Sequence, residues 1–334
     1  MNAYNPFQQP QGQRFLVTGA AGFIGSHTVD MLIDQGHQVV GIDNLSTGNL
    51  ENVKRALTSG QFRLEKRDMM EEGAMDELVE NFQPDAIIHL AGLVSVTLGQ
   101  DMPEQNFRLN VESTKVVAEA ARNHAVKRIV FASSAAVYGD LETLPLTEDL
   151  PKEPKSNYGM AKLMSELLLQ SYAQSYGIDC VSCRFFNVFG PRQDPHSPYS
   201  GVISIFAERF AKGLQSTIFG DGQQSRDFIF VKDIAQGIVR AATNESVASG
   251  AYNLCNNQRR NLLELVDALA SHFPAAPPVQ FGEEREGDIK HSQGSNDKAC
   301  AELGFAPQVS FEEGIAALVD SMPIDFDHSD RKAA

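Results

Sequence analysis

Tyr158 and Lys162 stand four apart in the segment Asn157-Tyr158-Gly159-Met160-Ala161-Lys162, the spacing that puts two side chains on one face of a helix. A free phenol titrates near ~10 and is a poor base at neutral pH. A lysine cation beside it favours the phenolate, so Lys162 is expected to pull the Tyr158 pKa down toward the working range of a general base. The spacing is weak evidence alone, because both residue types are common. Upstream lies a serine pair, Ser133-Ser134, at the end of an apolar run. Such a pair serves as readily in a turn or cap as in catalysis.

A glycine-rich segment gives the pair weight. Phe15-Leu16-Val17-Thr18 runs into Gly19-Ala20-Ala21-Gly22-Phe23-Ile24-Gly25, and an amphipathic stretch with Met31, Leu32 and Ile33 follows. The pattern reads as strand, tight turn, helix. Its glycines let backbone approach a pyrophosphate, and the helix N-terminus offers unpaired N–H groups. A second strand, Gln38-Val39-Val40-Gly41-Ile42, ends at Asp43. A carboxylate about 20 residues past such a turn is placed for adenosine-ribose hydroxyls and repels a 2′-phosphate, so NAD is expected over NADP.

These elements need a sheet to hold them. Apolar runs recur at 15–18, 39–42, 86–90, 128–132 and 180–185, with helical patterns at 26–35, 75–81, 110–124 and 158–176. Strands alternating with helices predict an α/β fold, a Rossmann-like doubly wound parallel sheet. After residue 187 the alternation weakens and turn signals appear, among them Gly190-Pro191-Arg192 and Gly220-Asp221-Gly222. We therefore expect a disordered leader at 1–12 and an NAD-binding domain at 13–187 plus about 229–254. A smaller C-terminal α/β substrate-binding domain is expected at about 188–228 plus 255–330.

Composition narrows the function. A net charge of −15 over 334 residues argues against nucleic acid or an anionic membrane as partner. It also makes any arginine between glycine turns informative. The sequence has no apolar run of about 18 residues, and its first residues are polar, so no membrane partner is expected and the cytoplasm is the default. Cys180 and Cys183 have CxxC spacing but lie in an apolar run with no second pair or histidines to complete a site. No metal is expected. His27, His89 and His291 are read as structural.

With these motifs in order, the chain resembles the extended short-chain dehydrogenase/reductase family, and within it the NAD-dependent UDP-sugar 4-epimerases. The resemblance runs from Phe15 to about Met322. It includes Asp43-Asn44-Leu45, His89-Leu90-Ala91-Gly92, Arg226-Asp227 and Arg285-Glu286-Gly287-Asp288. It implies that Gly19, Gly22, Phe23, Ile24 and Gly25 hold the pyrophosphate and that Asp43 and Asn44 contact the ribose. It sets Asp68 near the adenine amino group, and Ala91 and Gly92 along the cofactor. Tyr158 is the implied base, Lys162 its partner and a nicotinamide-ribose ligand, and Ser134 the catalytic serine, with Ser133 a possible helper. Arg226 and Arg285 are implied on the substrate phosphates, Asp288 on the uridine ribose, and Asn187 on phosphate or sugar.

The resemblance also sorts the chemistry. Family dehydratases carry Asp-Glu directly after the catalytic Ser/Thr, whereas this chain has Ala135-Ala136. Inversion at C4 of a UDP-hexose is therefore expected, with another UDP-sugar enzyme (glucuronate epimerase, decarboxylase or dehydratase) or a non-catalytic NAD-binding regulator as alternatives. Ser292, seven past Arg285, falls where the family faces the sugar's C2 substituent. A small residue there implies acceptance of N-acetylated sugars. A homodimer is expected through helices near 110–124 and 158–176, the second being apolar over a broad surface.

Overall fold

The computed structural model describes residues 12–197, 201–284 and 289–322. The expected leader lies outside the described residues except for Gly12, as do Arg285 and Asp288 of the expected substrate set.

Seven parallel strands form the main sheet: β1 Arg14–Thr18, β2 Gln38–Ile42, β3 Phe62–Glu65, β4 Ala86–His89, β5 Arg128–Ser134, β6 Asp179–Phe185 and, from far along the chain, β11 Gly250–Leu254. Their order is β11-β6-β5-β4-β1-β2-β3. Chain order reverses beside β1, which lies between β2 and β4. In an open parallel sheet the crevice at such a reversal, beyond the strands' carboxyl ends, is where ligands bind.

Near-continuous apolar strands predict cover on both faces, and both are covered. Phe15, Val17, Ile88, Val130 and Val181 point to one side. There they meet α1 Phe23–Asp34, α2 Leu50–Leu57, α9 Val231–Thr243 and residues Ala299, Leu303 and Phe305. Leu16, Val40, Ile87, Ile129 and Cys180 point to the other. These pack on α3 Ala74–Phe82, α6 Ser113–Asn123 and α7 Asn157–Tyr176. Cys180 and Cys183 thus face opposite sides of the sheet, each buried with its thiol pushed up to about 12 by burial.

Between the major elements, α4 Val96–Asp101, α5 Pro103–Phe107 and a π-helical turn at Arg108–Glu112 lead into α6. Helix α7 is fixed at both ends. The Ser156 hydroxyl accepts from the Gly159 N–H at 3.1 Å, and Gly177 closes the helix in the left-handed conformation at φ 69°.

The C-terminal part builds a second core around Phe189, Phe206, Phe210, Phe228, Phe230, Leu265 and Phe311. Its strands form three short ladders. β7 Asn187–Phe189 pairs with β10 Phe228–Phe230, β8 Thr217–Phe219 with β13 Gln280–Gly282, and β9 Ser225–Arg226 with β12 Arg260–Asn261. The helices are α8 Val202–Ala211, α10 Leu262–Ala270 and α11 Phe311–Asp320. The last two begin with reciprocal capping boxes, Asn261 with Glu264 and Ser310 with Glu313.

Candidate active site

A cleft of about 770 Å³ opens at the carboxyl edge of the sheet. Gly19, Gly22, Phe23, Ile24, Gly25, Asp43, Asn44, Asp68, Ala91, Gly92, Ser133, Tyr158 and Lys162 all line it.

The turn after β1 has no room for side chains. Gly19 sits at φ +68°, and a Cβ there would lie 2.8 Å from the Ala91 nitrogen. A Cβ on Gly25 would lie 2.0 Å from the Gly19 oxygen. Gly22 caps α1 without a side-chain bond, and the first turn carries no acidic residue. That combination leaves a helix N-terminus suited to an anion. Asp43 closes the same loop: its carboxylate accepts from the Ala21 N–H at 2.9 Å and the Leu45 N–H at 2.8 Å. Each oxygen keeps a lone pair for a ribose hydroxyl. The Asn44 amide donates to Asp68 at 3.1 Å, and Asp68 accepts from the Met70 N–H at 2.8 Å. The residues present therefore fit a dinucleotide.

At the other end of the cleft, Tyr158 and Lys162 come off the first turns of α7, 8% and 2% exposed. The Ser134 hydroxyl is near enough to the Tyr158 phenol to favour its ionised form. Ser134 also accepts from the Ala136 N–H at 3.2 Å, so one hydroxyl both caps the 3₁₀ turn at Ala135–Tyr138 and meets the phenol. Ser133 differs. Its hydroxyl donates to Glu166, away from the phenol.

The electrostatics depart from the sequence expectation. Burial pushes the Tyr158 phenol up, and the counteracting influence is the Ser134 hydroxyl rather than Lys162. Burial lowers Lys162 itself to about 7, with Glu166 opposing the fall. Desolvation disfavours both charged forms, so the lysine that was to stabilise a phenolate is only partly protonated at neutral pH.

Several residues absent from the sequence reading support the site. Asn110, in the π turn, donates to the Leu93 carbonyl at 3.0 Å and to Asn106 at 2.9 Å. Its carbonyl takes hydroxyl bonds from Ser113, Thr114 and Ser165. Its side-chain oxygen lies 2.7 Å from where a Gly92 Cβ would be, so Asn110 props the Gly92 loop. The legible signal was a polar set, Asn106, Asn110, Ser113 and Thr114, on an otherwise buried helical face. Thr18 is another such residue. Its hydroxyl accepts from the Leu90 and Ala91 N–H groups, both at 3.1 Å, and so donates to His89 Nδ1 at 2.8 Å. The His89 proton therefore sits on Nε2, and burial lowers its pKa to about 3. His27 donates to the Pro191 carbonyl at 2.9 Å, and His291 pairs with the Ser225 hydroxyl at 2.9 Å.

Asn187, Arg226 and Ser292, the described residues expected on the substrate, are not among the residues lining this cleft, and short backbone pairings gather them. The Asn187 N–H donates to the Asp227 carbonyl at 3.0 Å, next to Arg226. The Ser292 N–H donates to the Ser225 carbonyl at 3.0 Å, on Arg226's other side. Asp227 is fully buried and clamps the surrounding loops. It accepts from the Asn256 N–H at 2.8 Å and the Gly294 N–H at 3.2 Å, while burial raises its pKa to about 7.

Sequence and structure comparisons agree with this geometry. Residues 15–255 match the NAD dependent epimerase/dehydratase family. A UDP-glucose 4-epimerase of Mycolicibacterium smegmatis is 40% identical over 92% of this chain and 97% of its own. Two solved structures superpose closely. One is a UDP-N-acetylglucosamine 4-epimerase from Methanobrevibacter ruminantium M1 in complex with UDP-N-acetylmuramic acid. It has a TM-score of 0.88 and 36% identity, over 93% of this chain and 98% of that one. The other is a Thermus thermophilus UDP-glucose 4-epimerase in complex with NAD, with a TM-score of 0.84 and 37% identity over 92% and 98%. The chain belongs to the NAD dependent epimerase/dehydratase family. Within it, the chain is one of the extended short-chain enzymes, an NAD-dependent UDP-sugar 4-epimerase.

Proposed function

We propose that the protein interconverts UDP-N-acetylglucosamine and UDP-N-acetylgalactosamine by inversion at C4, with UDP-glucose and UDP-galactose as a second pair. Ser292 carries this reading. It is a small residue beside Arg226, on the segment that the resemblance sets opposite the sugar's C2 substituent. A bulky phenol there would clash with an acetamido group, whereas a hydroxymethyl leaves room. Relatives of both sugar types are similar to this chain, one a UDP-N-acetylglucosamine 4-epimerase and several UDP-glucose 4-epimerases.

In this reading Tyr158 removes the proton from the 4-hydroxyl, with the Ser134 hydroxyl bridging phenol and sugar. The residues from Gly19 to Gly25, with Asp43, Asn44 and Asp68, hold NAD, while Gly92 and Lys162 flank its reactive end. NAD supplies a reversible hydride acceptor for C4, regenerated in each cycle. The 4-keto sugar must turn over before reduction on its other face, so Asn187 and Arg226 anchor the diphosphate and leave the sugar mobile. Arg285 and Asp288 complete that set by resemblance.

A second copy of the chain is proposed to dock on α7. Met160, Met164 and Leu167 are exposed at three- and four-residue spacing, with Tyr176 further along and Phe107 at the end of α5. The outward face of α6 is polar, with Glu119 paired to Arg122 at 2.7 Å, so the apolar contact centres on α7. Light scattering at micromolar concentration tests this, and a stable monomer rules it out.

The test of the substrate is kcat/KM for both sugar pairs in wild type and Ser292→Tyr. The variant is expected to lose the acetylated pair by one to two orders of magnitude, roughly the discrimination a clash provides, while keeping the other. Undiminished turnover of the acetylated pair would place the gate elsewhere.

A further inference from the structure

Helix α7 carries a third functional-looking side chain in register with the first two. Tyr158, Lys162 and Glu166 repeat every four residues and share one face. Glu166 is 9% exposed. A carboxylate that deep must be matched by donors, or its desolvation would dominate. Arg184 of β6 grips it at both oxygens, Nε to Oε1 at 2.9 Å and Nη2 to Oε2 at 2.6 Å. The Ser133 hydroxyl, from the β5 residue just before Ser134, donates to the same Oε1. Glu166 is thus tied to the neighbour of one catalytic residue and stands one helical turn from another.

The network continues beyond the sheet. Arg184 Nη1 donates to the Tyr138 phenol at 2.8 Å, and that phenol donates to Asn253 Oδ1 at 2.8 Å. Asn253 in turn donates to the carbonyls of Leu146 at 2.9 Å and Ser295 at 3.3 Å. Leu146 bridges to Gly294, two residues past Ser292. A continuous buried chain of polar groups therefore runs from the base pair on α7 to the substrate-side segment.

We propose that Glu166 is a positioning residue of the epimerase site, fixing Ser134 through Ser133 and preserving the positive charge of Lys162. The proposal rests on the reading of Ser134, Tyr158 and Lys162 as the catalytic set. Among the described residues, Glu166 is the anionic group that acts on Lys162. The other groups around that ammonium carry no negative charge. Tyr158 lies on the same helix, the neutral His89 comes from β4, the Phe131 ring of β5 is 5.0 Å away, and the Asn110 amide faces it across Gly92. Glu166 itself faces Ser133, Arg184 and, more distantly, Lys152. The direction of the Lys162 shift agrees: burial lowers it, and Glu166 is what raises it.

Glu166→Gln keeps the shape and removes the charge. Lys162 then holds its proton less well, the phenolate of Tyr158 loses support, and the acid limb of the kcat–pH profile moves to higher pH. A buried charge one helical turn away is expected to move it by about one pH unit, a roughly tenfold lower kcat on the acid side. Bound NAD and KM should stay near wild type. Glu166→Asp retains the charge and should leave the limb in place. Ser133→Ala keeps the charge but frees the end of β5, so it should lower kcat without moving the limb.

A Gln profile superimposed on wild type, with Tyr158→Phe inactive, overturns the role of Glu166 and leaves the catalytic reading standing. A limb displaced as far in Asp as in Gln also overturns it, because packing rather than charge would be responsible. Should the Gln variant fail to fold, wild-type kcat in Ser133→Ala overturns the link to Ser134. Full activity in Tyr158→Phe overturns the catalytic reading and the proposal with it.

Discussion

The cofactor half and the substrate half of this molecule are assembled by different rules. In the first, the proposed contact residues outside α1 and α7 sit at the ends of strands of one parallel sheet: Gly19 after β1, Asp43 after β2, Asp68 shortly after β3, Ala91 and Gly92 after β4, Ser134 closing β5. Sheet order turns these ends into neighbours, and all of them but Ser134 line one cleft. In the second, Asn187, Arg226 and Ser292 come from segments separated by tens of residues and held by ladders of two or three rungs and, beside Ser292, by an isolated bridge at His291. A regular sheet lets position be counted along the chain, and short ladders do not.

The largest expected effect tests whether chemistry resides wholly in the first half. Tyr158→Phe removes the phenol that Ser134 acts on and should lower kcat by about 10²–10⁴, the usual range for losing a general base. NAD released on denaturation should match wild type. Activity within tenfold of wild type would move the base elsewhere. Next comes the turn itself. Gly25→Ala forces a methyl to within 2.0 Å of the Gly19 carbonyl oxygen, so that turn must open. We expect the purified variant to carry little NAD. A full cofactor complement would mean that the turn tolerates a side chain and that its glycines are incidental.

The substrate half is expected to behave more mildly. With Arg226 anchoring the substrate diphosphate as proposed, Arg226→Ala removes one charge-assisted contact, about 1.5–3 kcal/mol, hence a KM higher by roughly one to two orders of magnitude with kcat little changed. If instead kcat falls and KM holds, Arg226 acts on the reacting sugar and the division between the halves dissolves.

The same division explains what could be read before folding. Strands β1, β2, β4, β5 and β6 announce themselves as apolar runs because both faces are buried, and the helices between them follow from the alternation. The site at their ends follows in turn. Other features required tertiary contact to exist at all. Nothing in the order Ser133-Ser134 says which hydroxyl meets the phenol. That is decided by Glu166 and Arg184, which engage Ser133 and leave Ser134 to Tyr158. The pKa expectation failed for a related reason: spacing gives proximity, but burial is a property of the folded pocket, and here it outweighs proximity. The π turn at Asn110 is equally invisible to a search for regular helical periodicity.

The smallest effect sets the two halves against each other through pH. The cofactor half buries two histidines in neutral form, His89 lowered to about 3 and His27 to about 4, in both cases chiefly by desolvation. Their folded values lie below the ordinary 6.5. Between 6.5 and these values the unfolded chain binds protons that the native state does not. Each therefore lowers stability as pH falls through that window, by about 1.4 kcal/mol per pH unit. The substrate half carries the opposite sign. Asp227, raised by burial from 3.8 to about 7, holds a proton in the native state that the unfolded chain has lost, so stability falls as pH rises between those values. Asp233, on α9 against the main sheet, is raised in the same direction by burial and offsets part of the histidine contribution within the cofactor half. Across about pH 4–6.5 the halves oppose one another, and the measured slope of stability against pH is a difference. His27→Gln separates them, because the amide can still donate to the Pro191 carbonyl but does not titrate. Denaturant unfolding at several pH values should show a slope lower by about 1.4 kcal/mol per pH unit in the variant, within the window of His27 alone. Parallel curves for variant and wild type would mean that His27 is protonated in the folded protein and that its contact with Pro191 does not hold it neutral.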